Sequence, residues 1–159
     1  MIILGLDPGL SATGYGAVLF DRGSLTLERC GVWRPPDGLA FAVRLHFLFE
    51  RLAALLAELQ PAAVSVETVF SAKNVSSTVK LSHARGVLLA AAAQFEIPVF
   101  EYEPRLVKKA LVGYGQAEKP QVRAMVLTLL ARQRDRVPLD AADALAVAIC
   151  HCHARPPGP

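Results

Sequence analysis

Four carboxylates stand at positions where a folded chain would gather them: Asp7 after Ile2-Ile3-Leu4-Gly5-Leu6, Glu67 after Ala63-Val64-Ser65-Val66, and Asp140 with Asp143 in an alanine-rich segment. Taken singly, each has an ordinary structural explanation. Asp before Pro8-Gly9 is a turn former, Glu at a strand end is solvated, and Asp140-Ala141-Ala142-Asp143 imitates a helix capping box. Together they describe a set of hard oxygen ligands suited to Mg²⁺ or Mn²⁺. The three-residue spacing turns Asp140 and Asp143 toward one helix face, and acids gathered at two strand tips and a helix start repel unless a cation sits among them. Such a cluster supports phosphoryl-transfer chemistry, in which two ions ~4 Å apart activate a water and stabilise the leaving oxygen of an in-line displacement.

The elements that must hold these acids follow from pattern and punctuation. Residues 2–6 form an apolar strand; Pro8 biases Asp7 toward an extended backbone, and Gly9 permits the turn beyond it. Thr13 to Phe20 and Leu25 to Trp33 read as two further strands separated by Asp21-Arg22-Gly23-Ser24, so the chain opens with an antiparallel meander. Residues 39–59 form a helix with Leu45, Leu48, Leu52, Leu55 and Leu59 on one stripe, ending before Pro61. A strand to Glu67 follows, then a polar loop from Phe70 to Ser77, a long helix from Ser77 to Phe95, and a fifth strand at Ile97 to Phe100. Helices over 104–111 and 120–132 precede a last helix starting near Asp140. In the long helix, Gly86 and Ala90 to Ala93 suit either self-association or close packing on the sheet. The order βββαβαβα predicts an α/β fold: a five-stranded mixed sheet, meander plus parallel strands, flanked by helices. Right-handed crossovers set the fourth strand beside the first, so Asp7 and Glu67 fall at the carboxyl ends where ligands of open α/β sheets gather.

With 159 residues, 53% of them hydrophobic, the chain fits one domain over 1–154, and the Pro/Gly tail 155–159 is expected to be disordered. No apolar run reaches the ~18 to 20 residues of a membrane span, and no secretory leader is recognisable, so no membrane association and a cytoplasmic location are expected. Cys30, Cys150 and Cys152 form no disulfide framework and are read as reduced thiols. The run Cys150-His151-Cys152-His153 lacks a second ligand cluster, and adjacent helical residues point apart, which argues against zinc. Charge is uneven: residues 1–69 carry five Arg and seven acids, residues 70–159 twelve Lys and Arg and seven acids. The basic second half hints at a polyanionic partner. No P-loop is present, and Gly14-Tyr15-Gly16 lacks the third glycine of a dinucleotide fingerprint.

Leu6-Asp7-Pro8-Gly9, Thr13-Gly14-Tyr15-Gly16, Glu67-Thr68-Val69-Phe70, Ala72-Lys73-Asn74, Ala84-Arg85-Gly86 and Asp140-Ala141-Ala142-Asp143-Ala144-Leu145-Ala146, in this order, resemble the RuvC family of crossover junction endodeoxyribonucleases over nearly the whole chain. The resemblance implies an RNase H-like fold, a homodimer, and Mg²⁺-dependent paired nicking of four-way (Holliday) DNA junctions in recombination and repair, leaving 5′-phosphate and 3′-hydroxyl ends. It implies two Mg²⁺ ions per site, replaceable by Mn²⁺, on Asp7, Glu67, Asp140 and Asp143 as catalytic residues and metal ligands. It further implies catalytic and DNA-contacting roles for Lys108 and Lys119, DNA contact by Lys73, base stacking by Phe70, and partnership with a RuvA–RuvB branch-migration motor. Tyr114, where some relatives carry a basic residue, and Pro120, following Lys119, depart from the family pattern. Rival readings are an RNase H-like nuclease acting on RNA and a non-catalytic junction-binding scaffold. A sugar-kinase-like or actin-like ATPase also begins with Asp-x-Gly on a strand, but this length leaves no room for its two-domain nucleotide clamp.

Overall fold

The computed structural model describes residues 1–68, 75–131 and 137–154. Within these, the elements run β1 (Ile2–Asp7), β2 (Thr13–Asp21), β3 (Ser24–Trp33), α1 (Phe41–Leu59), β4 (Ala63–Glu67), α2 (Val75–Gln94), β5 (Val99–Tyr102), α3 (Pro104–Val112), α4 (Lys119–Leu129) and α5 (Leu139–Ala154). The sheet order is β3-β2-β1-β4-β5. β1, β2 and β3 pair antiparallel, whereas β1–β4 and β4–β5 are parallel. The expected meander and crossovers are therefore present, and β4 lies beside β1. A register shift between Ala17 and Val18 marks a bulge in the long β2–β3 ribbon.

Strand period 2 sorts the side chains into two cores. Leu4, Leu6, Ala17, Val64 and Val66 face α1 and α2, where Leu48, Leu52, Leu55, Leu56, Leu88 and Ala91 close the layer. Ile3, Val18 and Ala63 face the other way, toward α5 and the shorter helices, in a cluster with Leu145, Ile149, Val107 and Val126. Glu67 follows Ala63 and Ser65 at even spacing, and Asp7 follows Ile3 and Gly5, so alternation directs both acids to the α5 face.

Element ends differ from expectation by one to three residues. α1 starts at Phe41 because Ala40 is still extended at φ −58°, ψ 150°, and it ends as Gln60 turns left-handed at φ 45°, directing its N–H to the Leu56 carbonyl. α4 stops at Leu129, where Leu130 leaves helical geometry, rather than at 132. Its start holds a capping box between Glu118 and Gln121, and Pro120 sits in the first turn, where its missing N–H costs nothing. No helix among the described residues is long and apolar enough to cross a membrane. Phe70, Lys73 and the tail 155–159 lie outside the described residues.

Candidate active site

The parallel pairing of Leu6 with Val66 sets the next residues, Asp7 and Glu67, at adjoining strand tips. Beyond Asp7 the turn is fastened by Thr13, fully buried, whose hydroxyl donates to the Gly9 carbonyl at 2.6 Å and accepts from the Gly9 N–H at 3.3 Å. Beyond Glu67 the ladder continues for one residue, with the Thr68 N–H bonded to the Tyr102 carbonyl at 2.9 Å. Both carboxylates thus extend from paired backbone.

The α5 acids reach the same place because three glycines let that helix settle directly onto the sheet. Gly5 pairs with Gly16 across β1 and β2, and Asp7 pairs with Gly14. A Cβ on Gly5 would stand 2.0 Å from the Ala144 carbonyl oxygen, one on Gly14 2.0 Å from the Asp140 carbonyl oxygen, and one on Gly16 2.5 Å from Leu145 Cγ. Contacts that short cannot form, so any side chain at Gly5 or Gly14 forces the α5 backbone away. The helix start is also tied from the other side, where Arg123 of α4 donates to the Val137 carbonyl at 2.8 Å.

A cleft of about 190 Å³ opens at this junction, lined by Asp7, Glu67 and Asp143 with Lys108 and Lys119, over Pro104, Val107, Val122 and Ala146. Lys119 Nζ lies 2.7 Å from Asp143 Oδ2. Asp140 is turned aside to an ion pair with Arg34, at the end of β3, at 3.3 Å. The structure therefore brings together three of the four acids and both lysines inferred from the sequence, with the fourth acid at the rim. Among the described residues, no three His, Cys, Asp or Glu side chains already stand in metal-ligating geometry.

Charge has accumulated here. The Asp7 carboxyl is pushed up to about 7, first by burial and then by the Asp143 and Glu67 charges, with Lys119 pulling the other way. Glu67 is raised by burial and by Asp143, while Lys119 and Lys108 oppose the shift. Lys119 itself is raised, chiefly by its hydrogen bond to Asp143. The donor set is entirely carboxylate oxygen and carries an unbalanced negative charge, so it fits a hard divalent cation.

The cysteine–histidine run lies elsewhere, in the C-terminal half of α5, with Cys150, His151 and Cys152 buried and His153 exposed. His151 Nδ1 is 2.6 Å from the Tyr102 hydroxyl, and burial pushes the Cys150 thiol up to about 11, so it stays protonated and unreactive.

The family model described as crossover junction endodeoxyribonuclease RuvC matches residues 3–151. The chain belongs to that family. The crossover junction endodeoxyribonuclease RuvC of Syntrophomonas wolfei is 46% identical over 153 residues, covering 96% of this chain and 89% of the relative. Thermus thermophilus RuvC, solved in complex with Holliday junction substrate, superposes with a TM-score of 0.91 at 32% identity, covering 97% of this chain and 94% of that one. The yeast mitochondrial Holliday junction resolvase Ydc2 gives a TM-score of 0.66 at 11% identity, over 95% of this chain and 78% of that one, a likeness of fold alone. The fold is RNase H-like.

Residue reasoning missed four contributors to this site: Gly5, Gly14, Gly16 and Arg34. Their sequence signal was faint. Gly14-x-Gly16 on a strand, facing Gly5 on its neighbour, marks a place where another backbone comes close.

Proposed function

We propose that the chain is a homodimeric Holliday junction resolvase that makes paired, symmetric nicks in four-way DNA junctions using Mg²⁺. One observation carries the reading: Asp7 and Glu67 share adjoining strand tips with Asp143 and two lysines in one cleft, in a chain belonging to a junction endonuclease family. Asp7, Glu67, Asp143 and, after leaving Arg34, Asp140 are the residues that hold two Mg²⁺ ions, with Mn²⁺ able to replace them. When bound, the ions supply an activated water at neutral pH and stabilisation of the leaving oxygen.

The chain's own residues do the rest. Lys108 and Lys119 line the same cleft and offer ammonium groups to phosphate oxygens on which charge develops. Phe70, three residues past Glu67 in sequence, stacks on a base at the junction centre, and Lys73, three residues further along the chain, contacts the backbone. Hydrolysis leaves 5′-phosphate and 3′-hydroxyl ends.

Symmetric cuts on opposing strands need two sites related by a two-fold axis. The outward face of α2 suits that axis, since Val79, Gly86, Ala90 and Ala93 are exposed along one side while Ala84, Leu88, Ala91 and Ala92 are buried in the core shared with α1. A Cβ on Gly86 would meet nothing within 4 Å, which leaves room for a second copy. In the cell, a RuvA–RuvB branch-migration motor is the partner, and the cytoplasm is the compartment.

The test is cleavage of one fixed and one mobile four-way junction with Mg²⁺, mapped to the nucleotide, beside a matched RNA junction. The expected result is paired nicks at symmetric positions in DNA, made by a species sedimenting at twice the 17.1 kDa chain mass. Cleavage confined to RNA, or binding without nicks, would reject it.

A further inference from the structure

The α5 acids are each held by a cation from a different element. Asp140 pairs with Arg34 from the end of β3 at 3.3 Å, and Asp143 pairs with Lys119 from the start of α4 at 2.7 Å. Both cations sit on exposed side chains, 60% and 77% accessible, so both can swing away without disturbing the core. Each pair competes with a metal for its carboxylate: the ammonium or guanidinium occupies one of the lone pairs and offsets the charge that would draw a divalent ion. Asp140, paired with Arg34, is not among the residues that line the cleft with Asp7, Glu67 and Asp143.

We infer that Arg34 and Lys119 are displaceable counter-ions that couple substrate binding to assembly of the metal centre. Without DNA they neutralise Asp140 and Asp143 and compete with metal. Junction phosphates, a dense row of negative charge spaced at ~1.7 Å along the duplex axis, draw both side chains away and free the α5 acids to turn toward Asp7 and Glu67. Metal and junction therefore each raise the affinity for the other, by the same factor, because linkage is reciprocal. The gain is avoidance of hydrolysis before a junction is in place. The inference rests on the metal reading given above and adds Arg34 to the residues that govern it.

The test uses Ca²⁺, an oxygen-seeking divalent ion, titrated calorimetrically into the full-length protein alone and into its complex with a fixed four-way junction. Wild type should bind Ca²⁺ more tightly in the complex. Arg34→Gln and Lys119→Gln should each raise Ca²⁺ affinity of the free protein by about two- to fivefold, the size expected of an exposed ion pair, and should shrink the gain produced by the junction. Junction affinity, read by fluorescence anisotropy with and without Ca²⁺, should show the same reduced coupling. Arg29→Gln breaks an exposed ion pair to Glu58 of α1, at 2.6 Å, that involves no cleft acid, and it should therefore leave the junction-induced gain intact. Unchanged or weaker Ca²⁺ binding by the Arg34 and Lys119 variants, or a junction-induced gain equal to wild type, would overturn the coupling while leaving the metal site standing. Ca²⁺ binding indifferent to Asp7→Asn would overturn the coupling together with the metal reading beneath it.

Discussion

On one face of the sheet, Leu48, Leu52, Leu55 and Leu56 of α1 meet Leu4, Leu6, Val64 and Val66 side chain to side chain. On the other, the backbone of α5 rests on Gly5, Gly14 and Gly16. The first arrangement gathers apolar area and depends on no single atom's position, which is how a core supplies stability. The second gives up side-chain contact so that a helix carrying Asp140 and Asp143 lies within reach of strand tips carrying Asp7 and Glu67. It places half-buried, mutually repelling carboxylates at its open end, and the Asp7 carboxyl is pushed up to about 7 by burial and by those charges. Both faces carry a core, and the glycine contacts in one of them set the acids.

Truncation on the leucine face should have the largest effect on stability and little on chemistry. Leu52→Ala, at a fully buried position, should lose about 2–5 kcal/mol of unfolding free energy. Below its melting transition it should still bind metal like wild type. Chemical denaturation beside a Ca²⁺ titration checks both; a variant that kept its stability but lost metal would blur the division between the faces.

A reversed sign is expected at the acid end of the glycine face. The folded pKa of Asp7 lies above its ordinary 3.8, so the folded protein holds an extra proton between about pH 4 and 7. That contribution to stability is full below the ordinary value and is lost as pH rises through about 7. Asp7→Asn removes the penalty. Without metal at pH 8 it should be more stable than wild type, on the order of 2–4 kcal/mol, from a shift of roughly three pKa units. The advantage should fade by pH 4, and thermal midpoints across this range in a chelating buffer report it. Glu67, raised for the same reasons, leaves part of the slope in place.

The smallest stability effect should carry a disproportionate functional one. Gly14→Ala forces the Asp140 carbonyl aside, which overpacking places at about 1–3 kcal/mol. Displacement by an ångström at the helix start should cost metal affinity well beyond that, because both α5 acids move with it. Equal losses of stability and metal binding would mean that the glycines serve packing alone.

Much of this layout was legible in the sequence because strand-terminal acids, turn residues and a leucine stripe are local signals. The meander, the β1–β4 adjacency, the α1 face and the gathering of Asp7 and Glu67 at adjoining strand tips all follow from spacing and from the handedness of crossovers. Resemblance supplied the lysines, which spacing could not single out. The contribution of Gly5, Gly14 and Gly16 was not legible, since a close approach by α5 is a tertiary event between segments about 130 residues apart. Arg34 was hidden for the same reason: its partner Asp140 lies 106 positions away. Of the alanines of α2, Ala91 and Ala92 are buried in the core and Ala90 and Ala93 are exposed.

Single-turnover cleavage of a four-way junction by Asp7→Asn, at protein concentrations that saturate binding and with millimolar Mg²⁺, tests most directly whether the acid cluster is the nuclease centre. The expected result is at least a ~100-fold fall in nicking rate with junction affinity within a few-fold of wild type, because phosphate contacts lie mainly outside the acids. Nicking near the wild-type rate, with Asp7 gone and the junction fully bound, would contradict it.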